Sequence, residues 1–362
     1  MFLFCDFEPL LLKANGMASL AQLKIAMYVP LVLVSVIFAA FLVAVMWFLQ
    51  VGYVWAFVLT GVFLLIEYLI GPAIVRATTR LRYLKQGENP WLESTVKDLA
   101  QKSNIPVPKL AVVPNPTPNA FVFGRTSSDA TLAVHEGLLQ NLNEDEVRGV
   151  VGHELGHIRH RDYLIMTVLS ALPLLAYLLF RGAFEAAWIS GRTSRRKDSG
   201  GLAVALLVVG ALSFVIYIVS LLFVMRLSRL REHYADAYSA YVTGSPRSLE
   251  SALAKITYGL SLAPDPRNDG ARTLYIGDPH MAKLEMQDIM SKKAEYDLDR
   301  DGVLDDRELE LAMEKEAKSR WLSVNRAFQT HPATFQRILL LREIDNEMTT
   351  GKYTSDRIYA HV

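Results

Sequence analysis

The sequence predicts a mainly helical α+β integral membrane protein, with about four apolar helices and a soluble domain split around the second pair of them. Three observations predict it. Of 362 residues 51% are hydrophobic, and they gather in long blocks rather than spreading evenly. No residue is charged from Ile25 to Ile66, nor again from Ser199 to Met225. Between these blocks lie short apolar runs bounded by proline and glycine, which have the length of strands rather than helices.

Composition also excludes some classes. With 38 basic against 37 acidic residues the net charge is +1, so the chain lacks the basic field that nucleic acid would require. Cys5 is the single cysteine, which rules out a disulfide framework and a multi-thiolate zinc site and leaves imidazole and carboxylate as metal ligands. That usage fits a domain facing the cytosol. Asp6 and Glu8 precede only a weak apolar stretch, so no cleavable signal peptide is expected and residues 1–24 read as a cytosolic segment.

Residues 25–75 read as a transmembrane hairpin. As one helix, the uncharged run would extend about 60 Å, twice the ~30 Å of hydrocarbon, so it must be two spans. The turn is expected near Gln50, Val51 and Gly52, with Trp47, Tyr53 and Trp55 at an interface. Lys13 and Lys24 precede the pair, and Arg76, Arg80, Arg82 and Lys85 follow it, which places both outer ends in the cytosol. Glu67 is an intramembrane carboxylate, but Gly71 and Pro72 are expected to end its helix and bring it near the headgroups, so it stays outside the site.

Residues 76–162 form the first part of the soluble domain. Leu110 to Val113, Ala120 to Phe123 and Thr131 to Val134 read as strands. Asn143 with Glu144, Asp145 and Glu146 reads as a capped helix start, and that helix runs on through His157. Residues 163–225 hold two apolar blocks, Tyr163 to Phe180 and Ser199 to Met225. Groups on both sides of them must meet at one site, so they cross the membrane an even number of times, as a spanning pair or a re-entrant hairpin. A spanning pair would put the loop bearing Arg181, Arg192, Arg195, Arg196 and Lys197, against Glu185 and Asp198, outside, contrary to the positive-inside trend. Residues 226–350 complete the domain and 351–362 form a tail.

The chemistry rests on His153-Glu154-Leu-Gly-His157. On a helix, H-E-x-x-H sets two imidazoles one turn apart on one face, the separation one tetrahedral zinc needs, with Glu154 beside the metal as general base. A catalytic zinc takes three protein ligands and keeps one open position. Glu232 is the favoured third ligand and its neighbour His233 the alternative, because Asp236 follows Glu232 by four residues and could hold the free N–H of a ligating histidine. Asp162, closing the motif helix, reads as structural.

With Asn119-Ala120-Phe121 and Gly124, Arg231-Glu232, Ala235-Asp236 and Thr330-His331-Pro332, these residues resemble the HtpX-like membrane zinc proteases, relatives of the CAAX prenyl proteases. The resemblance covers roughly residues 95 to 345. It implies a gluzincin-type protease domain with its active site at the cytosolic face of the cell (inner) membrane, four apolar segments, and damaged or misassembled membrane proteins as substrates. Within that frame His331 is either a stabiliser of the tetrahedral oxyanion or a packing histidine at a helix start. Residues Asn119, Ala120 and Phe121 are either the start of an edge strand that binds substrate backbone or part of an ordinary core strand.

A second motif lies in residues 281–320, a segment that reads as an insertion relative to the family. Asp297, Asp299, Asp301, Gly302, Val303, Asp305 and Glu308 match positions 1, 3, 5, 6, 7, 9 and 12 of an EF-hand loop, which makes calcium a second expected cofactor. The alternative is an acidic solvated turn, since EF-hands usually work in pairs. Two other functions stay open: a CAAX-type processing protease and a non-catalytic, calcium-responsive membrane scaffold. Expected partners are the bilayer and unfolded or membrane protein substrates, without nucleic acid.

Overall fold

A computed structural model describes residues 53–193, 199–262, 275–277, 279–299, 331–354 and 357–362, with isolated positions between 25 and 46 and at 308, 311 and 312. The expected segment 1–24 and basic residues Arg195, Arg196 and Lys197 lie outside the described residues, as do the calcium-loop positions Asp301, Val303 and Asp305.

Helix α1 (Tyr53–Thr79) runs through Gly71 and Pro72 rather than ending there. The missing amide of Pro72 costs one ladder hydrogen bond, which an otherwise strongly apolar helix absorbs. It exposes Val58, Val62, Leu65, Ile66, Leu69 and Ile70, the surface a lipid environment covers. Its C-terminal half docks on the sheet that follows, where Val75 packs beside the Phe121 cluster and the Tyr68 hydroxyl donates to the Arg125 carbonyl at 3.3 Å.

The soluble domain opens with β1 (Arg82–Tyr83), α2 (Pro90–Lys102), β2 (Lys109–Val113), β3 (Ala120–Phe123) and β4 (Thr131–His135). The sheet order is β1-β2-β4-β3, with β2 and β4 parallel and the outer pairs antiparallel. All residues of β4 are buried, as befits a central strand, while β3 is an edge, paired through Ala120 with Val134 and Phe123 with Thr131. Strand β1 is too short to carry a periodic signal and was not legible in the sequence.

After the short α3 (Glu136–Asn141) comes α4 (Glu144–His160), the helix of the H-E-x-x-H motif. Asn143 and Glu146 form a reciprocal capping box, and three acidic residues occupy the first turn against the helix dipole. Arg161, left-handed at φ 59°, stops it.

Two helices among the described residues are long and apolar enough to cross a membrane, with candidate spans at Leu172–Ser190 and Gly201–Thr243. Helix α5 (Asp162–Thr193) continues well past Phe180, where the sequence suggested an end. Arg181 and Glu185, read as loop charges, form an i,i+4 pair at 2.7 Å on its surface. Helix α6 (Ser199–Thr243) likewise passes Met225 unbroken. The two pack through Phe180 on Phe214 and Tyr177 on Tyr217, and Gly210 makes room for the Phe184 ring. Val204, Leu207, Val208, Leu212, Val215 and Val219 remain exposed on α6.

The C-terminal part of α6 packs on α4. A Cβ at Gly152 would lie 2.9 Å from the Ser239 hydroxyl and one at Gly156 3.2 Å from the Ala235 backbone, so these glycines set how closely the two helices approach. Ser239 Oγ donates to the Gly149 carbonyl at 2.6 Å, fixing their register. Helices α7 (Pro246–Leu262) and α10 (Thr334–Thr349) complete the main core with Leu249, Leu253, Ile256, Leu341 and Ile344. The chain returns with Tyr359, whose hydroxyl lies 2.8 Å from His160 Nε2 at the end of α4. Helices α8 (Pro279–Ser291) and α9 (Lys293–Tyr296) build a satellite core, in which Met286, Ile289, Tyr296 and Ala312 meet Ala254 of α7 and Phe335 and Ile338 of α10.

Candidate metal centre

The helical rise brings His153 and His157 onto one face of α4, where the crossing α6 meets them with Glu232. His153 Nε2 and His157 Nε2 lie 3.2 Å apart. Glu232 Oε2 is 3.4 Å from His153 Nε2, and its Oε1 is 3.6 Å from His157 Nε2. A tetrahedral ion with bonds of about 2.0–2.1 Å requires ligand atoms roughly 3.3–3.4 Å apart. The three groups therefore hold the separations zinc needs. His233, the alternative ligand, is not part of this group.

Two further observations fit a divalent cation. Glu232 Oε2 is buried and has no hydrogen-bond partner among the described residues. The buried charges around the group are the carboxylates of Glu154, Asp162, Glu232 and Asp236 and the guanidiniums of Arg231 and Arg337. With the imidazoles neutral, as ligation requires, four negative against two positive leaves two negative charges, the complement of one divalent ion.

Each imidazole is oriented by a carboxylate. His153 Nδ1 lies 2.9 Å from Asp236 Oδ1, and His157 Nδ1 lies 2.6 Å from Asp162 Oδ2. With the Nδ1 protons so engaged, both Nε2 lone pairs face Glu232. Each carboxylate is in turn held by an arginine. Arg231 Nη2 reaches Asp162 at 3.1 Å, and Arg337 grips Asp236 through Nε at 2.8 Å and Nη2 at 2.7 Å.

Sequence reasoning took Asp162 as structural and missed Arg337. Asp162 lies beyond a left-handed residue, so no helical period links it to His157, and Arg337 is 184 positions from His153. The one available signal for Arg337 was a lone arginine among apolar residues in Phe335 to Leu341.

Burial raises the Glu154 carboxyl above its usual range, which makes it a stronger base. Burial also opposes ionisation of Glu232, but the imidazoles of His331, His157 and His153 around it outweigh burial and keep that carboxyl well below the usual range. His331, two residues after which α10 is capped by Ala333, is buried with Nδ1 3.6 Å from Glu232 Oε2. Asn119 is fully buried and its Oδ1 accepts from the Ile276 amide at 2.9 Å, so its side chain is engaged with its own chain. Ala120 and Phe121 are buried as well, with Phe121 edge-on to His135.

Three members of the expected calcium loop are described. Asp297, Asp299 and Glu308 bring ligand oxygens within 4.8 Å of one another, and the Glu308 carboxylate accepts from the Leu298 amide.

Comparison with known proteins places this arrangement. The chain is 35% identical over 252 residues to a "Protease HtpX homolog" of Methanothermobacter thermautotrophicus, covering 69% of this chain and 92% of that protein. It is 33% identical over 295 residues to a "Protease HtpX homolog" of Thermococcus kodakarensis, covering 81% and 86%. The crystal structure of S. mikatae Ste24p matches in fold, with a TM-score of 0.50 at 17% identity, over 89% of this chain and 64% of that one. This chain thus spans less than two thirds of the Ste24p structure. The family model "Peptidase family M48" matches residues 86–345, which contain every group of the metal centre, and the chain belongs to that family of metalloproteases.

Proposed function

We propose that this protein is a zinc-dependent endopeptidase of the membrane, which hydrolyses peptide bonds of damaged or misfolded membrane proteins on the cytosolic side. The observation that carries the reading is the group of His153, His157 and Glu232 at zinc-ligand separations, with Glu154 on the same turn of α4. Zinc held there would supply Lewis acidity, activating water and polarising the scissile carbonyl.

The residues of the chain do the rest. Glu154, made more basic by burial, takes the proton from the attacking water and returns it to the leaving amine. His331, facing Glu232 across the centre, is the candidate donor to the oxyanion. The free side of β3 offers backbone groups for pairing with an extended peptide, a mode that needs no particular side chains and so suits damaged substrates of many sequences.

Two observations favour membrane proteins as substrates. Tyr68 of the apolar α1 is bonded to Arg125, two residues beyond β3, so the edge strand ends against a membrane helix. Glu232 stands only seven residues after Met225 on the same helix. The cytosolic side is favoured by Arg76, Arg80, Arg82 and Lys85 after α1. Calcium in the loop of Asp297, Asp299 and Glu308 is assigned the role of ordering the inserted segment.

The test is digestion of casein and of an unfolded membrane protein by the purified full chain in detergent. Glu154→Gln should retain zinc and lose activity by roughly 10²–10⁴-fold. Equal activity of the two proteins rejects the mechanism.

A further inference from the structure

Arg337 is among the largest fully enclosed side chains in the protein, 2% exposed. Burying a guanidinium this completely is costly unless every partner is in place. The network around it joins three separate parts of the chain. Nε and Nη2 hold both oxygens of Asp236 on α6, whose Oδ1 also accepts from His153 Nδ1 on α4, and Nη1 donates to the Ile276 carbonyl at 2.6 Å. The amide of Ile276 donates to Asn119 Oδ1, directly before β3. One continuous polar chain therefore runs from Asn119 through Ile276, Arg337 and Asp236 to His153.

An ion pair with Asp236 alone would not need this shape. A lysine ammonium could neutralise the carboxylate, whereas only a planar guanidinium can hold two carboxylate oxygens with one edge and a carbonyl with another. Backbone contact at Ile276 is also unnecessary for orienting a ligand histidine; its effect is to fix the segment that pins the start of the edge strand.

We propose that Arg337 is a positioning residue that ties the substrate-binding edge to the metal ligands, so that the placement of β3 and the orientation of His153 are set together. This rests on the reading of the protein as a zinc peptidase with β3 as its substrate edge. Arg337 acts through Asp236 and Ile276, and its Nη1 also stands in a long ion pair 3.9 Å from Glu232 Oε2. It follows that disturbing the chain at Asn119 is felt at the metal, and that disturbing it at Arg337 is felt in substrate binding.

The experiment measures kcat and KM on an unfolded protein substrate, and separately the rate at which a chelator strips zinc, for the full chain in detergent. Arg337→Lys keeps the buried charge and loses the fork. It should lower kcat and speed zinc release by roughly 10- to 100-fold, and raise KM as well. Asn119→Ala should raise KM and also speed zinc release several-fold. The double variant should be little worse than Arg337→Lys alone, because both substitutions break one chain. Should Arg337→Lys not fold, zinc release from Asn119→Ala decides: a wild-type rate there overturns the proposal. Independent, multiplying effects of the two substitutions, or an Arg337→Lys protein with unchanged KM and zinc release, overturn it too. If Glu154→Gln is as active as wild type, it is the peptidase reading that fails, and the zinc-release comparison still reads the link.

Discussion

At the scale of single residues, the two ligand histidines are alike in design and unlike in legibility. Asp236 could be read because it sits one helical turn from Glu232, and a period of 3.6 residues puts both on one face. Asp162 could not, because the left-handed Arg161 turns the chain between His157 and Asp162. Yet Asp162 stands 2.6 Å from His157 Nδ1 and is 1% exposed. Asp162→Asn removes the charge that fixes the imidazole tautomer and leaves Arg231 without its carboxylate. The expected result is roughly 10–100-fold faster zinc loss to a chelator, with a proportionate fall in kcat. Zinc loss at the wild-type rate returns Asp162 to a purely structural role.

At the scale of elements, composition revealed most of the apolar helices and the strands β2, β3 and β4, since a run of apolar residues shows its length directly. Charges misled where they were satisfied within a helix. Arg181 and Glu185 looked like a loop and instead pair across one turn of α5. The continuity of α6 did leave a trace, for no glycine or proline interrupts Arg226 to Thr243. The segment of α8 and α9 has consequences beyond itself, because its Ile289 and Tyr296 share a cluster with Ile338, the neighbour of Arg337 in α10. An ion bound by Asp297, Asp299 and Glu308 would stabilise that satellite core by about 2.7 kcal/mol at a hundredfold excess over Kd. Thermal unfolding in detergent should therefore shift upward with calcium in the wild type and stay fixed in Glu308→Gln. No shift in the wild type would reduce the loop to a solvated turn.

At the scale of the whole molecule, one rod joins two environments. Helix α6 is 45 residues long, about 67 Å, and carries both the exposed apolar stretch from Leu202 to Val219 and, further on, Glu232 and Asp236. The uncharged part, Ser199 to Met225, measures about 40 Å against ~30 Å of hydrocarbon, so a spanning α6 must lean to match its surroundings. The helix is continuous from its exposed apolar half to the half that grips α4 through Ala235 and Ser239. Acyl-chain length would thus become an input to the chemistry: a thinner host would tip the shaft further and drag one ligand of three, while a thicker one would set it upright. Reconstituted in vesicles of graded lipid length, the enzyme should hold zinc most tightly at one intermediate thickness, and a flat response would mean that the shaft slips freely where it enters the water.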